Sequence, residues 1–595
     1  MANSLFRKKK IESILKEGGD EAHGTGLKRV LSVRDLTFFG IAAIIGAGSF
    51  SSLGEAVFKG GPGVVLLFVI TGIACGFTAF CYSEFASRIP VAGSAYTYSY
   101  ASFGELFAWI IGWALIMEYS IGNIYVAFSW SDYFTSFLGK INIHVPDFLT
   151  CSYMEAKGAV DKLAGITDQA ERTAFLSKKA NIELLSAWNA SNKIGNLRII
   201  FDLPALIINL LITYLVYRGI KESRNFSNVM VILKLAVVML VIFVGGTLIF
   251  SNGLSFNWTP ENSEGVKSFM PNEFSGVMAA VSGVFFAYIG FDAVSVLAEE
   301  SKNPQRDLPR GMIYSLVICT VVYILLSLVL TGAVVYSKFE NVGDPLAFIF
   351  ESENLNIPWM QIFVAICAVV AMTSVLLVFQ MGQPRIWMSM SRDGLLPPVF
   401  QKIHERFKTP SFATIVTGLI VGIPILFTDK SFVLDFTSIA TLFAFVLVCG
   451  GVLLIPRKEK VPGRFNIPYV NGQFIYPLII ALSIFLFAQY GNGYFAGAFN
   501  YDFSGNKDYQ NGKASFMDMA TPKISIVIFW AVCIMLSIVA FIKKFSLIPL
   551  MGVTTCLYLL TGMTKSNWAW FLGWLLLGLV IYFLYGYKNS KLAKV

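Results

Sequence analysis

The sequence predicts an all-α integral membrane protein with about 14 transmembrane helices. Of its 595 residues, 55% are hydrophobic and only 14% are charged. The mean hydropathy is +0.65. A soluble domain has roughly 25% charged residues, so a chain of this length could not cover a water-facing surface. A hydrocarbon-facing surface needs no charge, and lipid is therefore the expected solvent.

Apolar runs of membrane-spanning length recur along the whole chain. A helix needs about 20 apolar residues to cross the hydrocarbon core. The runs of this kind are 36–58, 64–86, 103–137, 201–220, 228–250, 273–298, 312–336, 357–389, 411–427, 431–455, 473–491, 523–542, 545–562 and 567–587.

Lysine and arginine predict the orientation, because cytoplasmic loops carry an excess of both. Alternate loops are rich in them, and the intervening short loops are sparse. The rich loops and the tail contain Arg218, Lys221, Arg224, Lys302, Arg306, Arg310, Arg392, Lys402, Arg406, Lys408, Arg457, Lys458, Lys460, Arg464, Lys588, Lys591 and Lys594. Both termini are expected in the cytoplasm, with the protein in the cell (inner) membrane. The net charge of +9 then reflects topology, and no nucleic-acid partner is expected.

The predicted organisation has four parts. They are a cytoplasmic tail at 1–35, a core of ten spans at 36–456 with an outer insertion at 138–200, four C-terminal spans at 457–587 with an outer loop at 493–521, and a cytoplasmic tail at 588–595.

Glycines interrupt the first and the sixth span. Gly46 and Gly48 lie near the middle of the first run, and Gly283 and Gly290 precede an acid in the sixth. Two interrupted spans at corresponding positions are typical of an inverted-repeat transporter, in which unwound backbone lines a central cavity. The alternative is glycine serving close helix packing.

Two broken helices would suit a small zwitterion. Freed amides at a half-helix N-terminus favour a carboxylate, through exposed donors and the helix dipole. Freed carbonyls at a half-helix C-terminus favour an ammonium group. The backbone of an amino acid carries both charges, so an amino acid is the expected substrate.

Several polar side chains lie inside predicted spans, where ionisable groups are costly and often functional. Lys234 lies about two turns inside the fifth span and would either carry a proton in the site wall or snorkel to the interface. Glu118 and Asp292 are either functional acids or structural, hydrogen-bonded ones. Thr373 and Ser374 either bond their own helix or accept from a nearby ammonium.

Four stretches resemble a known family: Gly40–Phe50, Asn228–Leu235, Phe285–Glu300 and the signature Gly382–Pro397. The chain is similar to the bacterial cationic amino acid transporter branch of the amino acid–polyamine–organocation superfamily. The resemblance implies the five-plus-five inverted-repeat fold of the bacterial leucine transporter, with extra C-terminal helices. It also implies alternating access around the broken first and sixth spans.

The resemblance also implies a set of site residues. The backbone ends of the substrate would meet Ile44, Gly46, Ala47 and Gly48, and carbonyls and an aromatic lid would come from Phe286, Ala287 and Ile289. Gly122 would leave room for the substrate side chain. Lys234 would occupy the position that sodium takes in sodium-coupled relatives, with Thr373 and Ser374 on the other wall. No cofactor is implied, and the coupling ion would be a proton.

The sequence departs from the family at Ser49, Ser51 and Ser52, where more apolar residues are expected. This departure leaves open whether the substrate is cationic, with Glu118 as its partner, or small and neutral. The expected activity is inward proton symport of an L-amino acid, and the alternative is an uncoupled facilitator or exchanger. The expected partners are the amino acid and the lipid bilayer, with binding of a small membrane subunit left open.

An enzyme is not expected, because catalysis would need clustered His, Cys or carboxylate side chains at one depth. The three histidines, His23, His144 and His404, lie apart in predicted loops or in the tail.

Overall fold

A computed structural model describes residues 5–9, 14, 31–46, 48–91, 94–166, 168–194, 197–219, 224–261, 265–407, 409–455, 464–490, 494–504, 509 and 515–593. Within them the chain is almost entirely helical. The helices of the first half are α1 Val33–Ile44, α2 Leu53–Gly60, α3 Val64–Arg88, α4 Ser94–Ser102, α5 Glu105–Lys140, α6 Tyr153–Gly165, α7 Gln169–Leu176, α8 Lys179–Ala190, α9 Leu203–Arg218 and α10 Arg224–Ser251. A two-residue antiparallel pair joins β1 Lys193–Ile194 to β2 Leu197–Arg198.

The second half continues in the same way. Its helices are α11 Glu273–Ala279, α12 Val281–Phe286, α13 Pro304–Ala333, α14 Pro345–Phe348, α15 Pro358–Arg392, α16 Ser411–Ile425, α17 Lys430–Leu454, α18 Gly472–Tyr490, α19 Tyr494–Phe499, α20 Phe516–Lys543, α21 Leu547–Leu560, α22 Lys565–Ile581 and α23 Tyr587–Asn589. The short 3₁₀ segments are Gly61–Gly63, Asp147–Leu149, Leu254–Trp258, Asp292–Glu300, Tyr336–Phe339, Pro398–Gln401 and Lys591–Ala593, and the π-helical segments are Gly48–Ser52 and Tyr582–Gly586.

The predicted membrane spans correspond to these helices. Nine helical stretches of the described residues are long and apolar enough to cross a membrane, and one of them, Val33–Arg88, holds the first two predicted spans. The three shorter apolar helices 203–218, 411–425 and 547–560 and the broken segment 273–300 account for the remaining runs. The prediction of an all-α membrane fold is confirmed.

The core is a tight bundle around α5. This helix runs along α15 and α17, whereas α13 runs along α1 and α3. Large buried aromatic side chains fill the contacts, including Trp109, Tyr82 and Tyr98. The outward faces of α18, α20 and α22 carry exposed apolar side chains such as Leu478 and Leu576, as lipid contact requires.

The two ends of the chain lie on one face of the bundle, here called the terminal face. Lys9 Nζ is 2.7 Å from Asp393 Oδ1, and the backbone of Lys591 donates to the carbonyl of the same aspartate at 3.0 Å. The segment 138–200 lies at the other end of α5, on what is here called the insertion face. It contains α6 to α8 around a small core of Cys151, Ala156, Ala187 and Ile200.

Candidate functional site

The first span breaks in the middle of the bundle. Helix α1 ends at Ile44, and Ile45 is extended, with φ −77° and ψ 94°. A π-helical turn then runs from Gly48 to Ser52 before α2 continues the span. Because the regular ladder stops here, its carbonyl groups need other donors. Tyr323 OH donates to the Ile44 carbonyl at 2.9 Å, and Ser49 Oγ donates to that of Gly46 at 3.0 Å.

The sixth span also breaks, one turn after Phe286 closes α12. The chain passes through Ala287 and Ile289 to Gly290, whose φ is +114°. A 3₁₀ helix then begins at Asp292. L-residues with a side chain rarely adopt the backbone conformation of Gly290, so a glycine is required at this position of the break.

The two breaks touch each other. A Cβ atom built on Gly48 would lie 2.5 Å from Ala287 Cα, and one on Gly290 would lie 2.9 Å from Ala43 Cβ. Ser52 Oγ is 2.9 Å from the carbonyl oxygen of Gly283. The structure therefore brings together the predicted residues Gly48, Ala287 and Gly290, and places Ile44, Gly46 and Ile289 beside them. Ala47 lies outside the described residues.

Lys234 reaches the first break from α10. Its side chain is buried, with an exposed fraction of 2%, and Nζ donates to the Ala42 carbonyl at 3.2 Å. A lysine that snorkels keeps its ammonium in the polar interface, so burial excludes that alternative. The amine is held against the last turn of α1, where the helix comes apart.

Helix α15 forms the wall of the first break opposite α12. A Cβ atom on Gly46 would lie 2.4 Å from Val375 Cγ2. The two residues before Val375 carry hydroxyl groups that donate to carbonyls of their own helix. Thr373 Oγ1 donates to Val369 O at 2.8 Å, and Ser374 Oγ donates to Ala371 O at 2.9 Å. Thr373 also accepts from Trp130 Nε1 of α5 at 2.9 Å.

Helix α5 borders both breaks through one aromatic residue that the sequence does not single out. Tyr125 packs edge-on against Phe286, with ring centroids 4.5 Å apart, and its hydroxyl is 3.4 Å from Ser51 Oγ. One turn earlier, Gly122 faces Phe379, whose ring carbon would be 3.3 Å from an added Cβ. No signal in the sequence distinguishes Tyr125 from the other aromatic residues of the apolar runs.

Glu118 and Asp292 are neighbours in the interior. Their exposed fractions are 3% and 2%, and Glu118 also lies beside Thr441 of α17. One carboxyl oxygen of Glu118, Oε2, has no hydrogen-bond partner among the described residues. A buried acceptor without a donor is costly, so this atom marks a place where a donor from a substrate or a proton would stabilise the site.

A cavity of about 650 Å³ leads from the insertion face toward the breaks. Its wall includes Ser51 and Tyr125, the ion-paired side chains of Asp132 and Lys430, and Glu155 of the insertion. Burial raises the pKa of the Glu155 carboxyl. This carboxyl also accepts a hydrogen bond from the Ser152 amide at 2.9 Å, which caps α6.

Three serines follow the first break and have different surroundings. Ser49 bonds within the break, and Ser52 joins it to the sixth span. Ser51 alone faces the cavity. All three hydroxyl groups donate to backbone carbonyl oxygens, that of Ser51 to the Gly343 carbonyl at 3.3 Å.

Known families and proteins resemble the chain along most of its length. The profile described as amino acid permease matches residues 31–507, and one for the C-terminus of that family matches residues 545–590. The branched-chain amino acid permease BcaP of Bacillus subtilis (strain 168) is 35% identical over 593 residues, covering 100% of both chains.

Two further relatives align with a somewhat smaller share of the chain. The methylthioribose transporter of the same bacterium is 38% identical over 481 residues, which is 80% of this chain and 91% of that protein. The vacuolar cationic amino acid transporter 2 of Arabidopsis thaliana is 31% identical over 650 aligned positions, covering 99% of this chain and 93% of the relative.

Proposed function

The chain belongs to the amino acid permease family and is a multi-pass membrane transporter, and from this premise we propose that it carries an L-amino acid into the cell together with a proton. Transport proceeds by alternating access around the two broken spans. The terminal face lies in the cytoplasm, because the loops on that side carry most of the lysine and arginine. The membrane is the cell membrane.

The substrate binds with its charged ends at the breaks. Its carboxylate meets backbone amides of the first break, at Gly46, Ala47 and Gly48, as helix termini favour. Its ammonium group meets the carbonyls released after Phe286. In the structure the two breaks touch, with Gly48 against Ala287, so we expect substrate binding to separate them.

The contact between Lys234 and the Ala42 carbonyl carries the proposal of proton coupling. A protonated amine donates to the end of α1 and stabilises one arrangement of the first span, whereas a neutral amine holds it less strongly. A ligand shifts a conformational equilibrium only when the two states differ in affinity for it. The proton on Lys234 has that property because its acceptor belongs to a span that moves.

The test is uphill uptake of a labelled amino acid into proteoliposomes with an inward proton gradient. Lys234→Ala should abolish accumulation above equilibrium, while counterflow in the absence of any gradient persists. Lys302→Ala is the matched control, since it removes the same charge from an exposed side chain. Undiminished uphill uptake by Lys234→Ala would refute proton coupling through this lysine and favour a facilitator or exchanger.

The unpartnered oxygen of Glu118 favours a cationic substrate side chain, which would supply the missing donor. A panel of labelled arginine, lysine, leucine and alanine tests this, since BcaP is named for branched-chain substrates. Glu118→Gln should reduce uptake of the cationic members selectively. Equal loss for all four amino acids would assign the acid a structural role instead.

A further inference from the structure

A buried carboxylate on the terminal face accepts hydrogen bonds from the N-terminal segment and from the C-terminal tail. Glu105, the first residue of α5, has an exposed fraction of 0%. Its carboxylate accepts from Arg7 at 3.3 Å and from Tyr100 at 3.0 Å. It also accepts from Tyr582 at 3.0 Å and from Ser590 at 2.6 Å. Two of these donors lie in the last span and the C-terminal tail, and one lies in the N-terminal segment.

The N-terminal segment Leu5–Lys9, here called the strap, also bonds through its backbone. The amides of Glu105 and Leu106 donate to the carbonyls of Arg7 and Leu5 at 2.9 and 3.1 Å. These two amides begin α5 and have no acceptor within the helix. The strap therefore completes the helix N-terminus, and its position depends on the same residue that holds the tail.

A glycine makes room for the strap. Gly104 has φ +105°, and a Cβ atom there would lie 2.7 Å from the backbone of Phe6. Any side chain at this position would be strained and would push against the strap. The backbone of the strap can therefore approach the start of α5 this closely only because residue 104 is a glycine.

Asp393 is the second point at which both ends meet. Its carboxylate accepts from Lys9 at 2.7 Å and from Tyr96 OH at 2.6 Å, and its carbonyl accepts from the Lys591 amide at 3.0 Å. A Cβ atom on the next residue, Gly394, would lie 2.4 Å from the carbonyl oxygen of Asn589. Strap and tail therefore share two anchors.

The strap also contacts α4, because the Lys9 amide donates to the Tyr100 carbonyl at 3.3 Å. Leu31, just before α1, lies at the end of the sixth span, because its carbonyl accepts from the Lys302 amide at 3.0 Å, just past the 3₁₀ helix of that span. Ser295 of that 3₁₀ helix donates to Ser94 Oγ of α4 at 3.0 Å. The strap is thus fixed to α5 and α4, and α4 in turn contacts the 3₁₀ helix of the sixth span.

We propose that the strap and the C-terminal tail form one latch on Glu105 and Asp393. Release of the tail also releases the strap and exposes the end of the sixth span at Asp292–Glu300. The extra C-terminal spans thereby control access to the site from the terminal face. The coupling is direct, because Ser590 and Arg7 bond the same carboxylate.

Hydrogen exchange of the full-length protein in nanodiscs tests whether the ends are coupled. Ser590→Asp places a second carboxylate beside buried Glu105, and like charges repel strongly there. The amides of Glu105 and Leu106 should then exchange about tenfold faster or more, as expected for losing hydrogen bonds to a charged group. Lys588→Asp, at an exposed position of the same tail, should leave their exchange unchanged.

A labelling experiment tests the consequence at the site. All eight native cysteines are buried, so a Ser301→Cys reporter can be followed with a membrane-impermeant thiol reagent. Ser301 is itself buried beside Leu31. Labelling should accelerate with Ser590→Asp and with Arg7→Ala, but not with Lys8→Ala, whose side chain is exposed on the strap.

Two results would overturn the proposal. In the first, Ser590→Asp loosens the tail but leaves the exchange of Glu105 and Leu106 at the unmodified rate, so the two ends are independent. In the second, exchange rises while labelling of the Ser301→Cys reporter stays constant, so the latch does not control access. Neither readout measures transport, so failure here is separate from failure of proton coupling.

Discussion

The first and sixth spans break where they contact each other, but they break in different ways. After its break the first span widens into a π-helical turn at Gly48–Ser52, whereas the sixth tightens into a 3₁₀ helix at Asp292–Glu300. Gly290 adopts a positive φ at the break of the sixth span. Gly46 and Gly48 instead leave space for Val375 and Ala287.

This difference shows that glycine supports the two breaks through separate physical effects. In the sixth span a glycine is needed because of the backbone conformation it adopts. In the first span a glycine is needed because a side chain would not fit. Substitution by alanine should therefore have unequal effects at Gly290 and at Gly48. Helix α3 offers a control, because a Cβ atom on Gly76 would meet nothing within 4 Å.

Gly290→Ala should be the most damaging of these substitutions. It combines a disfavoured φ, which costs about 1–2 kcal/mol, with overpacking against Ala43, which costs about 1–3 kcal/mol. The apparent melting temperature of the purified protein should fall clearly and uptake should be lost. Gly76→Ala should leave both unchanged; equal sensitivity of the two variants would remove the conformational argument for Gly290.

Gly48→Ala should have the second largest effect, through packing alone. The added methyl group would meet the backbone of Ala287 at 2.5 Å, and overpacking of this kind costs about 1–3 kcal/mol. Uptake should be more sensitive than the apparent melting temperature, because substrate binding as proposed above requires the two breaks to separate. A compensating shift that preserves uptake would show that the two breaks need not be in contact.

The sequence predicts both breaks because glycine and an intramembrane acid are visible without coordinates. It also predicts that Lys234 is near the first break, although burial and the Ala42 contact are needed to exclude snorkelling. The sequence also marks 138–200 as an insertion, and the structure shows the short helices α6 to α8 there; its location outside the cell stays a prediction. Local composition is sufficient for the two breaks, since each depends on residues close together in the chain, whereas the position of Lys234 follows from the family resemblance.

Features that join distant residues could not be predicted. Tyr125 is important because it lies between Phe286 and Ser51, and a pattern of apolar residues does not reveal which aromatic ring has that position. Glu105 likewise resembles any acid that begins a helix. Its role depends on Arg7 and Ser590, which are separated from it by 98 and 485 residues.

Ser52→Ala is the mildest way to test the contact between the spans. Ser52 Oγ lies 2.9 Å from the carbonyls of both Gly48 and Gly283, so one hydroxyl serves the first and the sixth span together. Its removal should destabilise the protein by about 1 kcal/mol, the usual net value of one hydrogen bond. The apparent melting temperature measures this effect.

Ser537→Ala is the matched control for that substitution. Among the described residues, its hydroxyl donates only to the Cys533 carbonyl of its own helix, at 2.8 Å, and such a bond adds little to a helix that is already paired. Ser52→Ala should therefore lower the melting temperature more than Ser537→Ala. If the two substitutions lowered the melting temperature equally, the Ser52 hydroxyl would contribute only a local hydrogen bond within the π-helical turn. The contact between the breaks would then depend on Gly48 and Gly290 alone.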